Sequence, residues 1–469
     1  MAAILNVLIL LSVGLILLFF LISTQKYADE ESRVRFTTLL FSLWIISTAV
    51  WGRYFFEQRL VGFFDITITR LIFVLIFMVM VIGVFTGRVR LRQNVQIEFF
   101  MLLFLFLCVA SMMRSGFTPV RAGFPSPFVV FLWGYLFPFA AFLFAKNYLS
   151  QENELNVIFH LMFFFGVYLS ITAFCEFLDV RELIFPRYIN DPKVGIHYAR
   201  ARGPLVNAAF NGVGIIIGFV CGVHLLQKKT GFTKLMYVLL LSLFFPAVFF
   251  TQTRSIYLSF LVTLVLLLFF YRTTFPKIKT FALPLFFIFL FAAYNAPRLT
   301  SEDRREGGVM QIGEVTARIG LAQRSVIMVL DNPFLGVGLG QFIPASVEKY
   351  LGRVPMFLIT SPEQAGIQHN HLLGIIVEMG LVGLFTYLFI VANIIRRCWQ
   401  LMKRIPVSGF AGSNMVLIII IIWIAYLNNN LFVEPSHCLF VNVVPFMFAG
   451  IADGLHRKFF LEADAQTAS

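Results

Sequence analysis

The chain has 469 residues, 59% of them hydrophobic and 13% charged, with a mean hydropathy of +0.85. These values exclude an ordinary soluble domain, in which about a quarter of residues are charged. A net charge of +13 would point a soluble protein towards nucleic acid, but in a chain this apolar Lys and Arg first serve to retain cytoplasmic loops, so membrane lipids and not nucleic acid are the expected surroundings.

Apolar runs near the ~20 residues needed to cross a bilayer recur from end to end. Thirteen are expected to span, at 3–23, 37–56, 67–86, 97–112, 127–146, 156–177, 206–226, 235–252, 255–271, 281–295, 371–394, 414–430 and 436–452. The fold class is therefore all-α, a polytopic transmembrane protein of about 12–13 spans, with residues 1–469 as a single membrane domain. The first run, Ile4 to Ile22, is too long for a signal-peptide core and lacks a basic region before it and a small-residue cleavage site after it. It reads as a retained helix.

If the spans alternate, Lys26/Arg33/Arg35, Arg88/Arg90/Arg92, Lys228/Lys229/Lys234, Arg272/Lys277/Lys279 and Arg396/Arg397/Lys403/Arg404 all fall on one side, which the positive-inside rule makes cytoplasmic. The C-terminus, with Arg457 and Lys458, lies on that side and the N-terminus on the other. Two longer segments, 178–205 and 296–370, then face outwards, and both are rich in arginine. Arg181, Arg187, Arg200 and Arg202 lie in the first, and Arg298, Arg304, Arg305, Arg318, Arg324 and Arg353 in the second. An anionic ligand on the external face is the simplest use for them.

Within the large loop, Glu314 to Leu330 has the spacing of an amphipathic helix, with Val315, Ile319, Val326 and Leu330 on one apolar face, and is expected to lie along the membrane surface. Asp331-Asn332-Pro333 ends it, and the glycines of Gly336-Val337-Gly338-Leu339-Gly340 allow tight turns close to a partner.

Three basic residues stand at the external ends of spans. Arg202 and Arg254 offer the fixed guanidinium fork that suits phosphate or pyrophosphate, and His369 can exchange a proton near neutral pH. Each has a plainer reading: a solvated loop charge for Arg202, snorkelling to headgroups for Arg254, and an interfacial imidazole bonded to nearby backbone for His369. Glu378, inside the apolar run that follows, must face a cavity or a partner, and a packing role is favoured for it. Glu434 reads as a loop carboxylate, and His371 has the chemistry of His369 one step further into the helix.

The sequence holds no His-Glu-x-x-His and no Asp-x-Asp motif, so neither a metal nor another cofactor is expected; no Walker-type phosphate loop is present either. The five cysteines fall singly in or beside apolar runs, and the 58 phenylalanines need no function beyond facing lipid.

His369-Asn370, nine residues, then Gly380-x-x-Gly383 resembles the ligase-type pattern of the O-antigen ligase and polymerase superfamily of bacterial inner-membrane glycosyltransferases. Asp331-Asn332-Pro333-Phe334-Leu335-Gly336-Val337-Gly338 resembles that family's Asp-x-Pro-apolar-apolar-Gly-x-Gly segment, Thr253-Arg254-Ser255 its Ser-Arg-Gly/Ser helix start, and Arg202-Gly203 with Asn207 its Arg-Gly loop. The motifs cover residues 200–395. Two departures are visible: Asn207-Ala208-Ala209 replaces the usual Asn-Pro-Asn, and Arg324 stands where an aromatic is common.

The resemblance implies a metal-independent glycosyltransferase in the bacterial inner membrane, with its active site facing the periplasm and its C-terminus in the cytoplasm. Its donor would be an undecaprenyl-pyrophosphate-linked glycan. Arg202 and Arg254 would hold the pyrophosphate, and His369 would deprotonate or orient the acceptor hydroxyl, with Asn370, Arg200, Arg318 and Glu378 in support. The His-Asn spacing favours a ligase with a lipid A-core acceptor, and a polymerase joining lipid-linked repeat units needs the same donor chemistry. A transporter of lipid-linked glycans, from a different class, would instead place its polar groups near the bilayer midplane.

Overall fold

The computed structural model describes residues 35–52, 54–55, 58–60, 64–86, 95–117, 126–271, 312–353, 369–407 and 409–467. Expected spans 3–23 and 281–295 lie outside the described residues, as do parts of the large loop. In chain order the helices are α1 (Phe36–Val50), α2 (Ile68–Phe85), α3 (Gln96–Ser115), α4 (Pro127–Tyr148), α5 (Glu152–Phe177), α6 (Ala208–Leu226), α7 (Gly231–Phe250) and α8 (Arg254–Phe270). They continue with α9 (Ile312–Asp331), α10 (Phe342–Glu348), α11 (His371–Arg404), α12 (Ser413–Asn430) and α13 (Leu439–Thr467). Two three-residue strands, Gln58–Leu60 and Phe64–Ile66, pair antiparallel ahead of α2.

Among the described residues nine helices are long and apolar enough to cross a membrane, and α1 and α8 are shorter apolar helices. Each coincides with an expected span, because the hydrophobic run and the helix are set by the same requirement that backbone groups in lipid be bonded internally. α6 and α13 run through the centre, and the spanning part of each is wholly buried. α6 sits against α5 at backbone distance: a Cβ at Gly218 would lie 2.6 Å from the Gly166 Cα, and one at Gly222 2.4 Å from the Phe163 ring. Small residues at four-residue spacing are what lets two helices approach so closely in lipid. At the end of the bundle away from Arg254, Lys146 of α4 is fully buried and pairs with Glu98 of α3 and, at 2.8 Å, with Asp453 of α13.

Helix starts follow local chemistry. Asn207 caps α6 by accepting the Ala209 amide at 2.9 Å, and Asn370 caps α11 by accepting the Leu373 amide at 2.9 Å. The retained asparagine in Asn207-Ala208-Ala209 thus keeps its capping task without the proline.

α11 is broken at Gly380, where φ is +67° and ψ −169°. The loop between α9 and α10 repairs the break. Val337 N donates to Val377 O and Gly338 N to Glu378 O, each at 2.9 Å, while Leu381 N and Val382 N donate to Pro333 O and Phe334 O at 2.8 and 3.4 Å. Two amides and two carbonyls of α11 beside the break are thereby bonded to the loop. The loop also bonds α3, with the Leu339 amide on Ser111 Oγ at 2.9 Å.

The amphipathic helix is present as α9, with two faces: one packs on the protein and the other carries apolar residues of the sequence pattern. Leu321, Ser325 and Met328 are buried with Arg324, whereas Ile319, Val326 and Leu330 remain exposed. The buried face meets Phe342, Tyr350 and Val377, and Arg324 reaches Ser346 Oγ of α10 at 2.9 Å. An arginine fits that face because it has a polar partner there.

Gly380→Ala is expected to destabilise the protein by about 2–4 kcal/mol, since a left-handed backbone and a clash are imposed together. Its Cβ would lie 2.1 Å from the Phe334 carbonyl oxygen. Gly352→Ala, with open space around it, should stay within about 0.5 kcal/mol. Thermal unfolding of the two variants in one detergent checks the contrast.

Candidate functional site

Four connections meet at one end of the bundle: 178–207 between α5 and α6, 251–253 between α7 and α8, 431–438 between α12 and α13, and the start of α11. Hydrogen bonds tie them together. Ala201 N donates to Phe250 O at 3.0 Å, Ser255 Oγ to Asn429 Oδ1 at 3.3 Å, Asn428 Nδ2 to Ser259 Oγ at 2.7 Å, and Asn370 Nδ2 to Leu431 O at 3.2 Å. Residues far apart in sequence, Arg200, Arg254 and His369, therefore lie at one end of the bundle.

The arginines divide into two kinds. Arg202 is fully buried, and its guanidinium donates to the carbonyls of Val194, Ile189 and Asp191 at 2.5, 2.6 and 2.7 Å while lying over the Tyr198 ring. Beside it, the Gly203 amide donates to Glu176 Oε2 at 2.9 Å. Arg202 thus folds the loop around itself, as a five-donor planar cation can.

Arg200, two residues earlier, is only partly buried; Arg254 is exposed at the first position of α8, and Arg318 is exposed on α9. These three come together. Burial pulls the Arg200 guanidinium below its ordinary value, Tyr257 opposes that, and Arg318 adds to it. Arg318 is lowered by desolvation from its neighbours and then by Arg254. Among the described residues no carboxylate forms a salt bridge with any of the three. Converging like charges oppose one another, so the arrangement is suited to an anion that supplies the missing counter-charge.

At the adjoining edge, His369 is exposed in a bend immediately before the Asn370 cap. His371 is buried, and its Nδ1 lies 2.9 Å from Glu434 Oε1, which also accepts the Ser436 amide at 3.1 Å. Burial alone would raise the Glu434 carboxyl; the His371 imidazole, helped by His437 and Ser436, reverses this and holds it below the ordinary glutamate value. Glu378 is turned to the loop that repairs α11, accepting the Phe342 amide at 3.1 Å and the Gly340 amide as well. It anchors the approach to α10.

The pairing of His371 with Glu434 was not expected from sequence, since 63 positions separate them. The cue that existed was a carboxylate following three asparagines directly after an apolar run. Among the described residues no group of three or more His, Cys, Asp or Glu side chains is placed to hold a metal ion.

Residues 237–388 match the family model described as O-antigen ligase, a likeness that covers about a third of the chain and supports the resemblance to the O-antigen ligase-like superfamily. The match runs from α7 to α11, taking in Arg254, Arg318, the repairing loop, His369 and Gly380, and leaving Arg200, Arg202 and Glu434 outside. No curated protein matches the chain.

Two outcomes follow. Arg202→Met leaves three carbonyls of the 189–194 turn without their donor and should cost about 2–4 kcal/mol, seen as faster backbone amide exchange between residues 189 and 203. Because Glu434 sits below its ordinary value of 4.5, its contribution is complete above that value and is lost as the pH falls through the lower folded one. Wild type should therefore lose stability more steeply on the acid side than Glu434→Gln, and parallel acid limbs in pH-dependent thermal unfolding would contradict this.

Proposed function

We propose, from the match of residues 237–388 to the O-antigen ligase family model, that the protein is a multi-pass membrane glycosyltransferase acting at the end of the bundle where the arginines converge. The donor is a glycan carried on undecaprenyl pyrophosphate. That end is the periplasmic face and the C-terminus is cytoplasmic, in keeping with the positive charge of the opposite loops. The observation that carries the reading is the convergence of Arg200, Arg254 and Arg318, without a carboxylate counter-ion among the described residues, at the end of the bundle where His369 lies.

In this reading Arg254, Arg318 and Arg200 hold the pyrophosphate, and Arg202 acts through the loop that presents Arg200. The acceptor hydroxyl oxygen attacks the anomeric carbon as the bond from that carbon to the pyrophosphate oxygen breaks. Undecaprenyl pyrophosphate leaves with the electron pair, and the acceptor proton passes to His369. Charge grows on the leaving pyrophosphate during this step, and fixed cations are most effective where charge develops. His369, exposed and next to a capped helix start, has the access that His371 lacks. Asn370 holds that start by its bonds to Leu373 and Leu431.

The acceptor favoured is lipid A-core, which makes the protein a ligase; a second lipid-linked repeat unit would make it a polymerase. Purified protein in liposomes, given the donor with each acceptor in parallel, distinguishes them by the product formed. His369→Ala should lower turnover by about 10²–10⁴-fold with the preferred acceptor. Arg254→Ala should lower it by about 10²–10³-fold. Full transfer by His369→Ala would remove the base role, and no transfer to either acceptor by wild type would return the transporter to first place.

A further inference from the structure

We propose that His371 and Glu434 form a positioning pair that sets His369 for transfer, an inference that rests on the transferase reading above. Neither side chain is placed to meet substrate: the His371 side chain is 3% exposed and that of Glu434 10%. Their role is mechanical, and the geometry around them is closed on every side.

His371 cannot swing. Its ring lies nearly parallel to Tyr135 of α4 at 6.3 Å and edge-on to Tyr387 of α11 at 5.3 Å, while Nδ1 is bound to Glu434 at 2.9 Å. Glu434 is fixed in turn by the Ser436 amide at 3.1 Å. One residue earlier, Asn370 Nδ2 binds Leu431 O at 3.2 Å while Asn370 Oδ1 caps the Leu373 amide. Two consecutive residues at the start of α11 are thus fastened to the 431–436 turn, and His369 is the next residue outwards. Tyr426 of α12, Glu378 of α11 and His437 complete the titratable groups that face Glu434.

A buried carboxylate is a costly way to hold two segments together, since apolar side chains of similar volume often serve as well. What the pair adds is direction: a hydrogen bond between a ring nitrogen and a carboxylate oxygen sets rotation as well as distance. An exposed base on a bend needs that control, because a displacement of about 1 Å can cost on the order of a hundredfold in rate.

The test uses full-length protein in liposomes, comparing wild type, Glu434→Gln, Glu434→Asp, His371→Gln and the double variant His371→Gln/Glu434→Gln. Two readouts are taken: kcat and donor KM for transfer, and deuterium exchange at the Leu373 and Gly374 amides. The expected result for Glu434→Gln is a kcat lower by about ten- to a hundredfold with donor KM unchanged, and faster exchange at both amides. The double variant should be no worse than the poorer single one, and Glu434→Asp should recover part of the loss. Unchanged kcat in Glu434→Gln, unchanged exchange, or losses that multiply in the double variant would each overturn the pair. Absence of transfer by wild type would overturn the transferase reading instead, and the exchange measurement would still decide whether the pair holds this turn.

Discussion

The break in α11 at Gly380 is the constraint on which the arrangement of the site depends. A helix interrupted inside a membrane leaves amides and carbonyls without helical partners, and in lipid each unpaired group costs several kcal/mol. Here the 333–338 segment supplies partners for two amides and two carbonyls. The chain between α9 and α10 is therefore bound to the middle of a spanning helix and cannot drift over the surface. Arg318 on α9 comes to a defined place beside Arg254 because of that attachment, and Glu378 extends it by binding the amides of Gly340 and Phe342. The spacing between His369 and Gly380 also gains a physical meaning: it is the length of helix between the exposed histidine and the point where the loop is fastened.

Arginine is used here in two opposite ways. Arg202 and Arg324 are buried, and each has protein acceptors: three backbone carbonyls for the first and a serine hydroxyl for the second. Arg200, Arg254 and Arg318 interact chiefly with one another and with Tyr257. A buried cation without partners would be expensive, so burial and partners go together, and what remains for a ligand is the set that is left open. The loop around Arg202 thus does for Arg200 what the repaired break does for Arg318.

The bundle was largely legible in the sequence, because hydropathy and helix formation in lipid answer to one requirement; α2 to α8 and α11 to α13 all fall where apolar runs predict. The glycine spacing was legible as a pattern, though nothing in it told that Gly380 interrupts the helix or which segment mends it. The sequence pattern favoured Arg202 over Arg200 for an anion, and the three backbone carbonyls that Arg202 meets had no signature in the sequence. The face of α9 that packs on the protein has no periodic signature, because Arg324 finds its acceptor on α10, 22 positions away. His371 and Glu434 were hidden for the same reason: a bond across 63 positions has no periodic signature.

A broken helix is also a feature of transporters, so the use made of the break bears on mechanism. In those proteins the freed backbone groups line a cavity near the midplane and bind the solute. Gly380 lies about 14 Å along α11 from its start at the usual helical rise, which is a comparable depth. Yet its freed groups are bonded to protein, and a Cβ at Gly380 would meet the Phe334 carbonyl at 2.1 Å, leaving no space for a solute. The groups with capacity for a ligand, Arg200, Arg254 and Arg318, stand instead at the end of the bundle. Interruption of the helix serves attachment, and the open guanidinium groups stand at the end of the bundle and not at the break.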